Sequence, residues 1–226
     1  IYGVAKSAAT STAVGRVAEA LKIGYYEVPT GWKYFCNLMD SNRITFCGEE
    51  SFGTGSSHIR EKDGIWAVLF WLSIIAATGK SVQEITEEHW RKYGRSYYMR
   101  NDYEALDVDV ANKLMADLEK KLPELSGKSF GDFTVSEAKP FIYNDPVDGS
   151  STKNGLIVYF TDKSRIVYRL SGTGTNGATL RVYLERYETK DLDENVEQML
   201  ESLADVSRQI GEVTERTGKV KADVLT

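Results

Sequence analysis

The chain has 226 residues, 42% hydrophobic and 27% charged, the balance of a folded protein with one large or two modest domains rather than of a disordered chain. Its net charge of -5 and isoelectric point near 5.3 argue against nucleic acid as a partner and against a membrane-binding surface, because proteins that track phosphates carry a basic excess. Cys36 and Cys47 are the only cysteines and form no C-x-x-C pair; this speaks against a zinc knuckle or a disulfide scaffold and leads us to expect buried free thiols.

In chain order, Ile1 to Ala5 and Ile23 to Val28 read as strands with an Ala/Val-rich helix, Ala13 to Leu21, between them. No basic segment followed by an apolar one opens the chain, and because Ile1 stands in the middle of what reads as a strand, the true N-terminus is expected upstream of it. Pro29, Thr30 and Gly31 break the pattern before a short helix, Trp32 to Met39, and Ile44 to Cys47 reads as a further buried strand. The longest apolar run, Ile65 to Ala77, spans 13 residues with a serine inside it, short of the ~20 that a membrane-spanning helix needs, so no membrane insertion is expected. It predicts a core helix, capped by Asp63 and ended by Gly79. Ser81 and Glu84 have capping-box spacing for a second helix reaching Tyr93, which Gly94 closes.

Beyond Gly94 the order changes to a strand near Ser96 to Met99, a helix from Asp107 to Leu122, several strands in succession and a final long helix. Ala111, Leu114, Met115, Leu118 and Leu122 form one apolar stripe, and Val196, Met199, Leu200, Leu203, Ile210 and Val213 another. Leu156 to Phe160 and Ile166 to Leu170 flank a Thr161-Asp162-Lys163 turn, and Ala178, Leu180, Val182 and Leu184 alternate with more polar neighbours. The expected fold class is an α/β domain, a mixed sheet between helices truncated at its N-terminus, followed by an α+β domain whose antiparallel sheet carries helices on one face. The division is expected at residues 1 to 93 and 94 to 226.

Three segments carry candidate chemistry. Gly48-Glu49-Glu50-Ser51-Phe52-Gly53-Thr54-Gly55-Ser56 follows a buried strand, where ligands of open α/β sheets gather. Glu49 and Ser51 project together if the strand pleat continues into the loop, and a carboxylate beside a hydroxyl suits vicinal sugar hydroxyls. Downstream, His58 and Lys62 are the proton-shuttling candidates. The bland alternative is a solvated connecting loop.

The second segment runs from Arg169 to Arg181. Gly172, Gly174 and Gly177 satisfy G-x-G-x-x-G, but the dinucleotide fingerprint demands a helix after it, and the period-2 pattern from Ala178 predicts a strand. What remains is an inter-strand loop with hydroxyls at Ser171, Thr173 and Thr175 and an arginine at either end, the parts of a phosphate cradle; a polar hairpin with exposed arginines is the alternative. The third, Val28 to Lys33, places Thr30, Gly31 and Trp32 at a strand end, where a structural turn is the competing explanation. His89 is expected to be structural, and Asn144 to Gly149 to be a turn rather than a cation loop.

Together, Pro29-Thr30-Gly31-Trp32-Lys33, Cys47 to Ser56, His58-Ile59-Arg60-Glu61-Lys62-Asp63-Gly64 and Arg169 to Arg181 resemble the eukaryotic phosphoglucomutases of the phosphohexomutase family, a likeness extending from Gly3 to Thr226. The resemblance implies the third and fourth domains of a cytoplasmic enzyme that interconverts glucose 1-phosphate and glucose 6-phosphate. It implies that Glu49 and Ser51 grip sugar hydroxyls, with Thr30, Gly31 and Trp32 in the neighbouring sugar loop, and that Lys62 assists proton transfer. Arg169, Ser171, Gly172, Thr173, Gly174 and Arg181 match the loop that binds the phosphate not being transferred. The family's phosphoserine and magnesium loops belong upstream of Ile1. Mg2+ and glucose 1,6-bisphosphate are therefore expected for the parent, with no metal ligand in this chain, which is expected to be inactive alone. Ser57 departs from the aspartate usual in animal relatives. The partners implied are glucose phosphates and the missing N-terminal domains. The alternative from another class is a non-catalytic, secretion-linked scaffold of the same fold.

Overall fold

The computed structural model describes residues 1 to 174 and 177 to 226, with residues 173 and 174 described by backbone alone. Two compact units emerge: Ile1–Arg95 with Ile142–Thr152 and Thr189–Leu192, and Ser96–Phe141 with Lys153–Glu188 and Asp193–Thr226.

The first unit contains β1 (Gly3–Ser7), α1 (Ala13–Leu21), β2 (Gly24–Val28), α2 (Trp32–Asp40), β3 (Phe46–Gly48), β4 (Thr54–Ser56), α3 (Gly64–Thr78) and α4 (Val82–Tyr93). The sheet order is β2-β1-β3-β4; β1 runs parallel to β2 and β3, and β4 is antiparallel to β3. Parallel neighbours joined by helical crossovers leave the carboxyl ends of β2 and β3 at one edge, so the loops after Val28 and Gly48 emerge together. Val4, Ala5, Val28, Phe35, Leu38, Met39, Ile44 and Cys47 form the buried centre. Cys36 is only half-buried, which corrects the expectation of two buried thiols. Burial pushes the Cys47 thiol up to about 12, and burial followed by the nearby Asp40 also raises Cys36, so neither is an activated nucleophile.

α3 departs most from the sequence reading. Asp63 caps it by accepting from the Trp66 amide at 2.8 Å, and Gly79 ends it at φ 67°. However, none of its residues is buried, and Ile65, Val68, Leu69 and Leu72 are more than half exposed. Trp66 and Phe70 lie against Phe46 with ring centroids 5.9 and 5.7 Å apart, so the sheet covers one side of a helix that is apolar nearly all round. A helix of that kind requires cover on more than one face. No single helix among the described residues is long and apolar enough to cross a membrane.

The second unit is built from β5 (Arg95–Leu106), α5 (Val108–Leu125), β6 (Ser129–Phe130), β7 (Phe133–Asn144), β8 (Ser151–Phe160), β9 (Arg165–Gly174), β10 (Gly177–Glu188), α6 (Val196–Gly211), α7 (Val213–Thr217) and β11 (Val224–Leu225). A curled antiparallel sheet of order β11-β5-β10-β9-β8-β7-β6 carries α5 and α6. Leu114, Leu118 and Leu122 of α5 and Leu200, Leu203 and Ile210 of α6 pack on Leu156, Val158, Ile166, Leu180, Val182 and Leu184. The expected single final helix is broken: Glu212 takes φ 48° and separates α6 from α7. The Asn144 to Gly149 segment is a turn held by buried Asp145, which accepts from the Val147 amide at 2.8 Å and from Asn37 Nδ2 at 2.9 Å.

Candidate functional site

At the end of β2 the chain reaches Gly31, whose φ of 140° belongs to the region that glycine tolerates and side chains resist. Its amide donates to Glu49 Oε1 at 2.9 Å, joining the loops after β2 and β3. Glu49 is buried, and its Oε2 lies 2.7 Å from Lys62 Nζ, which is half exposed. A buried carboxylate needs compensation, and this one receives it from one amide and one ammonium; each oxygen retains a lone pair for a further donor.

Two glycines make room for the cluster. A Cβ on Gly53 would fall 2.6 Å from Lys62 Cδ, and one on Gly55 would fall 3.0 Å from the Trp32 ring. Trp32 in turn stands 5.6 Å from Lys62 Nζ, ring centroid to nitrogen, and its indole N–H is buried without a partner among the described residues. Thr30 is half-buried beside it. The geometry thus gathers Gly31 and Trp32 with Glu49 and Lys62, from three separate stretches of the sequence.

Ser51 behaves differently. The pleat does not continue past Gly48, because the Glu49 amide donates to Gly53 O at 2.7 Å and closes a turn in which Phe52 takes φ 62°. Ser51 is exposed in that turn, so the expected strand-like pairing of Glu49 with Ser51 is corrected. His58 has both ring nitrogens engaged: Nδ1 with Ser56 Oγ, and Nε2 with Asp63 Oδ2 at 2.9 Å. It also stacks on Trp66 at 5.5 Å. The Trp66 amide, followed by His58, holds the Asp63 carboxyl below the usual aspartate range. His58 is thereby built into the turn that delivers Lys62, bridging the Ser56 hydroxyl and the Asp63 carboxylate.

In the second unit, β9 and β10 pair antiparallel with Arg165 opposite Glu185, Val167 opposite Tyr183, and Arg169 opposite Arg181; the register shifts between Ala178 and Thr179. Arg165 and Glu185 form a buried ion pair at 2.7 Å. Four residues further along the same face, the rung carries two positive charges instead. Like charges directly opposite on a sheet are destabilising, so the Arg169/Arg181 rung is where an anion would be most favourable. Arg169 donates to the Tyr183 hydroxyl at 2.9 Å, and Arg181 Nε lies 3.5 Å from Asp102 Oδ2. Gly172 takes φ 68° and is exposed. Gly177 takes φ 89°, and a Cβ there would meet Leu106 O at 2.7 Å. Ser171 is half-buried. Thr173 and Gly174 continue the strand, and the Thr175 hydroxyl lies outside the described residues. β10 starts at Gly177 itself, so a strand stands where the dinucleotide fingerprint requires a helix, which eliminates that reading.

Sequence reasoning missed Asp102 and Tyr183. Asp102 stands beside Arg100, Asn101 and Glu104 in a strand of mixed polarity, so composition does not single it out, and Tyr183 looks like any alternating strand residue. Among the described residues no three His, Cys, Asp or Glu side chains gather to hold a metal.

Residues 1 to 93 match the alpha/beta/alpha domain III of phosphoglucomutases and phosphomannomutases, and residues 95 to 223 match the C-terminal domain of phosphoglucomutase-1. The chain belongs to the phosphoglucomutase family. It is 52% identical to a phosphoglucomutase of Rhizobium radiobacter and 50% identical to phosphoglucomutase-1 of Homo sapiens, each over 100% of this chain and 42% of the relative. The chain therefore spans about two-fifths of the length of these phosphoglucomutases. Among solved structures, the open form of Paramecium parafusin, described as an exocytosis-sensitive phosphoprotein and phosphoglucomutase, superposes with a TM-score of 0.91 at 44% identity, over 100% of this chain and 40% of that one. A phosphomannomutase-like protein of Thermus thermophilus shares the fold alone, at a TM-score of 0.56 and 21% identity over 91% of this chain and 36% of that one.

Proposed function

We propose that this chain supplies the sugar-binding and distal-phosphate-binding elements of a phosphoglucomutase, an isomerase that interconverts glucose 1-phosphate and glucose 6-phosphate through a phosphoserine and glucose 1,6-bisphosphate in the cytoplasm. The observation that carries this is the buried Glu49 carboxylate, held by the Gly31 amide and Lys62. A carboxylate fixed at a strand end accepts from vicinal hydroxyls with little preference for which pair it meets, as a substrate bound in two orientations requires. The like-charged rung at Arg169 and Arg181, with Ser171 and Gly172 beside it and Thr173 and Gly174 following, supports a generic phosphate anchor.

In this reading Lys62 both neutralises Glu49 and assists proton movement near the reacting oxygens. Thr30, Gly31 and Trp32 border the sugar, the exposed Ser51 contacts its hydroxyls, and His58 is the second proton-shuttling candidate beside Lys62. The nucleophilic serine, Mg2+ and the remaining domains come from the parent polypeptide. Magnesium supplies charge neutralisation at the transferring phosphoryl group.

The test is the kinetics of the intact protein with glucose 1-phosphate. Arg169→Ala and Glu49→Gln each remove one charge-assisted contact, at about 1 to 3 kcal/mol, and raise KM accordingly. Kinetic constants unchanged in both variants defeat the assignment. The description of parafusin as an exocytosis-sensitive phosphoprotein supports one second reading, a secretion-linked protein of this fold; an intact protein that binds glucose 1-phosphate but never converts it would favour the non-catalytic form of that reading.

A further inference from the structure

The face of the second sheet that carries Arg169 and Arg181 holds a third arginine and a carboxylate that none of the site assignments uses. Arg100 and Asp102 stand two apart on β5, next to β10 in the sheet, and their side chains therefore share a face. Asp102 is almost fully buried. Its Oδ1 lies 2.9 Å from Arg100 Nε and its Oδ2 lies 3.5 Å from Arg181 Nε. One carboxylate thus serves two guanidiniums, while Arg169, the partner of Arg181 across the ladder, leans on Tyr183.

The charges here are sorted unevenly. At the Arg165/Glu185 rung a buried cation meets a buried anion. At the Arg169/Arg181 rung two cations face each other, with Cβ atoms roughly 4.5 to 5.5 Å apart in such a pair. Unrelieved, that repulsion would drive the two guanidiniums apart and spoil any bidentate grip on an oxyanion. Asp102 approaches Arg181 from the Nε side, and neither Arg181 Nε nor Arg100 Nε makes an aligned hydrogen bond. Asp102 therefore holds Arg181 by charge and leaves the terminal nitrogens of its fork uncommitted among the described residues.

The geometry points to Asp102 as a positioning residue for the anion site: it pins Arg181 beside Arg169 against their mutual repulsion, so that both guanidiniums are already in place when a phosphate monoester arrives. This rests on the phosphate-anchor reading of Arg169 and Arg181 and deepens it. Arg100, tied at its other end to Thr226 Oγ1 at 3.3 Å, holds Asp102 from the far side at 2.9 Å. Asp102 acts through Arg181 and touches no substrate itself.

The experiment is a double-mutant cycle in the intact protein, with glucose 1-phosphate as substrate and the variants Asp102→Asn, Arg181→Ala and both together. Asp102→Asn is expected to raise KM on the order of tenfold with kcat nearly unchanged, and to add nothing once Arg181 is already alanine. A role confined to stability would lower activity alike in both backgrounds. An unchanged KM, a lowered KM showing that the carboxylate competes with phosphate, or full additivity in the double variant each overturn the proposal. If Asp102→Asn does not fold, Asp102→Ala takes its place in the cycle. A wild-type protein without turnover counts against the functional reading only; the same cycle is then read from the dissociation constant of inorganic phosphate, with the same expected pattern.

Discussion

At Gly31 the backbone takes φ 140° and ψ 124°, and its amide binds Glu49. An alanine there adopts a conformation that costs about 1 to 3 kcal/mol and withdraws the amide from the carboxylate. Gly31→Ala is accordingly expected to lower the midpoint of chemical unfolding and, in the intact protein, to raise KM for glucose 1-phosphate. An equally stable variant with unaltered KM would show that the strained turn has no bearing on Glu49. Much of this site was legible as residue types: a carboxylate, a lysine, a tryptophan and glycines at strand ends. The links among them were not, because Gly31 to Glu49 and Glu49 to Lys62 are contacts across the sheet edge and no local spacing encodes them. Ser51 shows the limit from the other side. Its spacing of two from Glu49 implied a shared face, but one backbone hydrogen bond, Glu49 N to Gly53 O, folds the loop away from the pleat.

Elements with strong local signals matched their sequence reading closely. α4 begins at the Ser81/Glu84 capping box, with the Ser81 amide donating to Glu84 Oε2 at 2.8 Å and the Glu84 amide to Ser81 Oγ at 3.2 Å. Ser81→Ala is expected to cost about 1 kcal/mol and to speed hydrogen exchange in the first turn of α4; unchanged exchange there would show that the cap is not what holds the helix start. The Thr161 to Lys163 turn, with Lys163 at φ 71°, and the alternating buried side of β10 likewise follow from local chemistry. α3 was misread for a physical reason: apolar periodicity reports what a helix would bury and cannot report whether a partner is present. Its exposed Ile65, Val68, Leu69 and Leu72 form a patch of the kind that binds hydrophobic dyes. Leu69→Lys is expected to reduce dye fluorescence and raise solubility without lowering the unfolding midpoint, whereas a large loss of stability would mean that the residue is packed after all. β11 escaped sequence reading because two residues carry too little pattern, even though they pair with Asn101 and Asp102.

Across the whole molecule, several carboxylates are held by local partners. Lys113, followed by Arg216, holds the Asp117 carboxyl down to about 2; the Trp66 amide lowers Asp63, Lys121 lowers Glu212, and Lys219 lowers Asp223. A carboxyl whose folded pKa lies below its unfolded one contributes stability above the unfolded value, and that contribution is lost as pH falls through the folded value. With ordinary values of 3.8 for aspartate and 4.5 for glutamate, denaturant midpoints should hold steady above about pH 5 and fall between that point and about pH 2. Asp117→Asn should flatten the lower part of the fall, and an unchanged profile would contradict the pairing with Lys113 and Arg216. High salt should shrink the same effect, since these groups are exposed. Against this acidic background, the cations proposed to meet a ligand are Lys62 beside the buried Glu49 and the Arg169/Arg181 rung. Hydrogen exchange of the intact protein, compared with and without glucose 1-phosphate, tests that directly. Slowed exchange is expected at Gly31 and around Ser171 and Gly172 with the sugar phosphate, and around Ser171 and Gly172 alone with inorganic phosphate. Saturating glucose 1-phosphate that leaves both segments exchanging at their ligand-free rates would contradict the account.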